Sequence, residues 1–238
     1  MPIYNEEAAL EPVVTEWLAE LNRLEISFVL LAINDGSTDS SGLVLKRLVE
    51  RYPNAIAPCE KQNGGYGQAC RAGYLLAIES GAEWTLQIDS DGQCDPRFFS
   101  EFWNRREEAD ALFGMRTERD DGMLRAVIST GCRIATSFSC GIDLKDANVP
   151  YRLIRTQVLK TALTQIPESF DMQNVALTLI LKRDASVRWK HPHIRFRNRL
   201  GGKTKFGFSR VLSMGWTLLA ALPRIGKQSN SSKEFKAD

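Results

Sequence analysis

The stretch Trp84-Thr85-Leu86-Gln87-Ile88-Asp89-Ser90-Asp91-Gly92-Gln93 passes from an apolar run directly into a cluster of carboxylates. Its first half has the length and apolar character of a buried strand. Its second half is an acidic turn at the carboxyl end of that strand. Carboxylates two residues apart at a strand end converge or point the same way. So placed they repel, unless a divalent cation lies between them. Mg²⁺ and Mn²⁺ favour oxygen ligands, take few protein carboxylates and complete their shells with phosphate oxygens. Gln93 offers an amide oxygen two residues on. The triplet alone fits a solvated turn as well as a metal site; its position after WTLQI makes it informative.

Outward from this stretch the chain alternates helices and short apolar runs. Glu6 to Leu24 carries Leu10, Val13, Val14, Trp17, Leu18 and Leu21 at helical spacing. Ile26 to Ile33 is a continuous apolar run, read as a buried strand, and it ends in Asn34-Asp35-Gly36-Ser37. Ser37 or Asp39 can cap a helix over Ser40–Tyr52. Ala55–Cys59 reads as a strand, Gly64-Gly65-Tyr66-Gly67 as a loop and Gln68–Ser80 as a helix. Pro96–Glu108 reads as a helix and Ala111–Met115 as a strand. The order predicts an α/β fold, a mostly parallel sheet flanked by helices. In such sheets ligands bind beyond the carboxyl ends of the strands. Both acidic turns belong there, on one rim. A helix starting near Glu6 calls for a preceding strand, yet only Met1 to Tyr4 come before it. The first strand therefore reads as truncated, with the natural start expected upstream.

The chain has 238 residues, 43% hydrophobic and 25% charged, with a net charge of +2. That is enough to bury a full core, and the weak overall field gives no indication of nucleic-acid binding. The five cysteines include no CxxC pair, which argues against a zinc site and a disulfide framework. Basic residues gather late: Lys182, Arg183, Arg188, Lys190, Arg195, Arg197, Arg199, Lys203, Lys205 and Arg210, with Asp184 as the acid among them. Trp189, Phe196, Phe206 and Phe208 interleave with them, a pattern suited to an anionic ligand beside an apolar surface. Val211–Ile225 is apolar but holds Pro223 and Arg224 and falls short of the ~20 residues of a membrane span. It reads as a buried helix or one lying on a membrane.

Four motifs occur in order: Pro2-x-Tyr4-Asn5-Glu6, Asn34-Asp35-Gly36-Ser37-Thr38-Asp39, Asn63-Gly64-Gly65-Tyr66-Gly67, and Asp89-x-Asp91-x-Gln93. Together they resemble the family 2 glycosyltransferases of the GT-A (nucleotide-diphospho-sugar transferase) fold. The resemblance implies that Pro2, Tyr4 and Glu6 cradle the nucleoside and that Asn34 and Asp35 contact base or ribose. It implies that Gly65 lets the backbone approach the nucleotide, and that Asp89, Ser90 and Asp91 hold the diphosphate. The metal ligands would be Asp89, Asp91 and Gln93, with Mn²⁺ or Mg²⁺ bound.

A further element, Phe196-x-x-Arg199-x-x-Gly202-x-Thr204-Lys205, resembles that of polyprenyl-phosphate hexosyltransferases such as the dolichyl-phosphate mannose synthases. Gly114-Met115-Arg116 is similar to that group's strand-end arginine. Asp146-x-Asn148-x-Pro150-Tyr151-Arg152 is similar to its D-x-x-x-G-F-R segment, with Pro150 in place of glycine. The resemblance implies a GDP- or UDP-hexose donor and a polyprenyl phosphate acceptor at the cytoplasmic face of the membrane. Arg116, Arg152, Arg199 and Lys205 would meet the phosphates; Arg suits phosphate through bidentate pairing. A phosphate nucleophile is ionised at neutral pH, whereas a sugar hydroxyl needs a base. Asp171 is placed as that base, as an orienting group, or as a helix cap. A saccharide or other hydroxyl acceptor, and a non-catalytic nucleotide-sugar binder, are the alternatives. The expected organisation is a catalytic domain over 1–206, a C-terminal helix over 207–228 and a disordered tail over 229–238.

Overall fold

The computed structural model describes residues 1–116 and 149–201. The expected helix and tail over 207–238, as well as Lys205, Asp146 and Asn148, lie outside the described residues.

The first strand is two residues long. Strand β1 is Pro2–Ile3 and pairs in parallel with β2, Leu30–Asp35, in the register Pro2 to Ile33 and Ile3 to Asn34. β2 pairs in parallel with β3, Ile56–Lys61. The β2 strand begins four residues later than its apolar run. Glu25 takes a left-handed φ of 53° and Val29 is 43% exposed, so 26–29 serve as the turn back from α1. Helix α1, Leu10–Arg23, buries the predicted stripe from Leu10 to Leu21. Helix α2, Ser41–Arg51, buries Val44, Leu45 and Leu48. Helix α3 runs Tyr66–Glu79.

The second half departs from an all-parallel sheet. β4, Trp84–Gln87, pairs antiparallel with β7, Arg152–Arg155, and β7 pairs antiparallel with β5, Ala111–Phe113. β8, Trp189–Lys190, runs parallel to β5. Short β6, Met115–Arg116, pairs in parallel with β9, His193–Ile194. β7 is the antiparallel member, and its mixed sequence RLIR gave no such signal. The Pro96–Glu108 helix is broken: a 3₁₀ turn over Pro96–Phe98, helix α4 over Phe99–Asn104 and a second 3₁₀ turn over Arg106–Glu108. Helices α5, Thr156–Leu163, and α6, Gln173–Arg183, complete the described elements.

The core brings Trp17, Phe99, Phe102 and Tyr151 together, with ring centroids 4.7 to 5.9 Å apart. Aromatic pairs at such spacing add to the burial of their area. This cluster fixes α1 and α4 against β7, and so fixes the turn between β4 and α4. Among the described residues, no helix is long and apolar enough to cross a membrane.

Candidate active site

The turns after β1, β2, β3 and β4 meet on one rim. The first two are latched together. Asn5, at a left-handed φ of 55°, accepts from the Thr38 backbone N–H (2.8 Å) and donates to the Thr38 hydroxyl, while its own backbone N–H donates to Ser37 Oγ. Asp39 accepts from the backbone N–H groups of Ser41 and Glu7 and so caps the first turn of α2. Ser90 Oγ donates to the Pro2 carbonyl at 2.8 Å, tying the acidic turn to β1. This buried bond gives Pro2 and Ser90 their place at the site.

Asn34 and Asp35 are both held by neighbouring loops. Asp35 is 2% exposed. Its two oxygens accept from the Gly64 and Gly65 backbone N–H groups, each at 2.9 Å, and Lys61 Nζ pairs with it. Asn34 donates to Glu60 Oε2 and accepts from the Ser37 N–H. Both side chains are engaged in shaping the loops. The exposed Tyr4 and the backbone of Gly65 stand in the open part of the rim. Gly65 takes a φ of 85°, which a side chain disfavours. Gly67 has a tighter requirement: a Cβ there would come within 1.8 Å of the Asp171 carbonyl oxygen.

Asp89 and Asp91 lie beyond β4, half-buried and buried. Asp89 Oδ1 accepts from the Tyr66 hydroxyl at 2.9 Å, and Asp91 Oδ1 accepts from the Gln93 N–H at 3.0 Å. Burial, then the charge of Asp91, pushes the Asp89 carboxyl up to about 7. Glu6 is a third acid nearby. Burial raises its pKa against the opposing charge of Arg199, and its Oε2 is buried without a hydrogen-bond partner.

The late basic element crosses over this turn. Cys94 and Phe196 form an antiparallel bridge, the Arg197 N–H donates to the Gln93 carbonyl, and the Leu200 N–H donates to the Asp91 carbonyl. Arg199 thereby reaches both acids: its guanidinium pairs with Glu6 and stands 3.7 Å from Asp91 Oδ2. Leu200 covers Gly92, where a Cβ would meet its side chain at 2.7 Å. Sequence reading thus located Asp89, Asp91 and Arg199, and the fold brings them together.

Among the described residues, three other members of the basic run are paired with acids. Arg188 pairs with Asp110 (2.9 Å), Lys190 with Glu108 (3.0 Å), and Arg197 with Asp95 (2.7 Å) and Glu16 (2.6 Å). Arg116 lies over the Phe196 ring, its guanidinium carbon 4.7 Å from the centroid. Arg152 is fully buried rather than facing a ligand. It donates to the Val149 and Asn174 carbonyls at 2.6 and 2.9 Å and lies over the Phe113 ring. Asp171 is exposed beside the start of α3 and does not cap α6, whose N-cap is Met172 without a side-chain bond.

Sequence reasoning missed Tyr66, Tyr74, Gln87 and Asn174, which form a hydrogen-bonded cluster beneath Asp89. Gln87 carried the signal: an amide inside a buried strand requires partners.

The arrangement fits a hard divalent cation. Asp89 and Asp91 offer carboxylate oxygens whose charges act on each other, and the raised Asp89 pKa and the buried, unpartnered Glu6 oxygen crowd negative charge there. Among the described residues no three His, Cys, Asp or Glu side chains stand at ligand spacing.

A glucosyl-3-phosphoglycerate synthase from Mycobacterium tuberculosis, in complex with Mn²⁺, UDP and phosphoglyceric acid, superposes with a TM-score of 0.62 at 15% identity, over 94% of this chain and 76% of that one. The likeness establishes the GT-A fold. An undecaprenyl-phosphate 4-deoxy-4-formamido-L-arabinose transferase of Shewanella sediminis is 24% identical over 224 residues, 93% of this chain and 65% of that protein. A dodecaprenyl-phosphate galacturonate synthase of Rhizobium johnstonii is 26% identical over 226 residues, 93% of this chain and 65% of that protein. The chain spans just under two thirds of the length of these relatives. The sequence pattern of the family covers residues 1–163, from β1 through the acidic turn to α5, and the chain belongs to glycosyl transferase family 2.

Proposed function

We propose that this chain moves a hexose from a nucleotide-diphosphate sugar to a polyprenyl phosphate, with inversion, at the cytoplasmic face of a membrane. The observation that carries the reading is the contact of Arg199 with Asp91 and Glu6. It sets a cationic element from the late chain directly on the acidic turn. The relatives named for polyprenyl-phosphate substrates support the acceptor class.

Donor and acceptor meet as anions, and positive charge is needed between them. Arg199 is partly exposed at the junction, and Arg116 stands on β6 behind Phe196. Lys205, six residues beyond Arg199, is assigned to the same task from its motif. Tyr4 and the Gly65 backbone are assigned to the nucleoside, with Asp35 holding the glycine loop in shape. A bound Mn²⁺ or Mg²⁺ at Asp89, Asp91 and Gln93 would neutralise charge on the departing nucleoside diphosphate. Arg152 lies inside the core.

A phosphate acceptor needs no base, so Asp171 is an orienting group in this reading. Asp171→Asn is expected to reduce transfer to a short polyprenyl phosphate by less than about tenfold. Loss of the ~100-fold or more that general-base catalysis supplies would instead assign a hydroxyl acceptor. The assay is a nucleotide-sugar screen with Mn²⁺ and Mg²⁺, with and without the lipid phosphate.

A further inference from the structure

A line of side chains joins the buried Tyr74 to the acidic turn. Tyr74 OH lies 2.5 Å from Gln87 Oε1, Gln87 Nε2 lies 3.0 Å from Tyr66 OH, and Tyr66 OH lies 2.9 Å from Asp89 Oδ1. Tyr74 and Gln87 are buried, at 2% and 4% exposure. Tyr66 shows its ring to solvent and turns its hydroxyl inward, where Asn174 Nδ2 also donates to it at 3.3 Å.

The direction of this line follows from counting hydrogens. A phenol has one hydrogen. Tyr74 gives it to Gln87 Oε1 at the shorter of its two contacts; the other, to Asn174 Oδ1, is 3.0 Å. With its oxygen so engaged, the Gln87 amide turns its nitrogen to Tyr66. Tyr66 accepts from Gln87 and Asn174, which leaves its single hydrogen for Asp89 Oδ1. Each bond polarises the next. One oxygen of Asp89 is thereby fixed as an acceptor of this hydrogen, and the carboxylate plane is fixed with it.

We propose that Tyr66 is a positioning residue for the cation site, and that Tyr74, through Gln87, sets the direction of the hydrogen bond with which Tyr66 orients Asp89. This rests on the metal role assigned to Asp89 and Asp91 above. Partners that orient a metal ligand typically change affinity by about 10- to 100-fold when removed.

The test is Mn²⁺ binding, followed by the loss of free-ion paramagnetic signal, with UDP or GDP present. Wild type, Asp89→Asn, Tyr66→Phe and Tyr74→Phe are compared, each checked for native thermal unfolding. Tyr66→Phe is expected to weaken Mn²⁺ binding about tenfold or more. Tyr74→Phe is expected to weaken it in the same sense by about threefold, although nothing touching Asp89 is removed, because Gln87 is then free to turn and accept the Tyr66 hydrogen. A wild-type affinity in Tyr66→Phe overturns the proposal. A wild-type affinity in Tyr74→Phe alone overturns the directed line and reduces it to one contact. If wild type binds Mn²⁺ no better than Asp89→Asn, the metal assignment itself fails, and the inference with it.

Discussion

At the scale of single residues, Asp35 holds a loop that the rim depends on. Its carboxylate accepts from two consecutive backbone N–H groups and pairs with Lys61. Asn at this position keeps the shape but offers one accepting oxygen, so either Gly64 or Gly65 loses its partner. A buried donor left in this way costs about 1–3 kcal/mol. Asp35→Asn is therefore expected to lower the thermal midpoint and raise the donor KM about tenfold through the displaced loop; an unchanged KM would remove Asp35 from the site's support. The sequence showed that Asp35 ends a strand at a ligand-binding rim. It could not show that both oxygens are engaged, because the glycines that engage them come 29 and 30 positions later. Arg152 is the same case. Its motif suggested a phosphate contact, and only the packing of β7 between β4 and β5 shows it enclosed.

Among the elements, the sheet's far edge depends on Asp110. It accepts from the Arg188 backbone N–H at 3.1 Å and from the Arg188 guanidinium at 3.0 and 2.9 Å, fastening the start of β8 to β5. These bonds from Arg188 hold the Asp110 carboxyl below its ordinary value. The stabilisation is present above the unfolded value of about 3.9 and is lost as pH falls through the lower folded value. Unfolding midpoints measured from pH 6 to pH 3 are expected to fall more steeply for wild type than for Asp110→Asn, the two curves converging at the acid end. Parallel curves would contradict this. The elements themselves were legible where their signal was local. WTLQI, the α1 stripe and the α2 stripe all formed close to their predicted spans. The antiparallel insertion of β7 was not, since strand direction follows from the path of the whole chain rather than from the four residues RLIR.

Over the whole molecule, opposite charges are brought together from distant positions. The basic run of 182–205 suggested an open anionic-ligand surface. Folding instead sets Arg188, Lys190 and Arg197 against Asp110, Glu108, Asp95 and Glu16. Arg199 differs in its partners, which are the acids of the site itself. The acidic turn and Arg199 are more than 100 positions apart in sequence, yet a backbone bond from Leu200 to Asp91 joins their segments. Transfer chemistry at that junction is the central claim. It is tested most directly by following labelled hexose from a nucleotide sugar into a polyprenyl phosphate product, with Mn²⁺ or Mg²⁺ or with a chelator, for wild type and Asp91→Asn. A lipid-soluble labelled product is expected that requires the divalent ion and falls at least about 100-fold in Asp91→Asn. Label appearing in the lipid at the same rate with chelator present, or undiminished in Asp91→Asn, would contradict it.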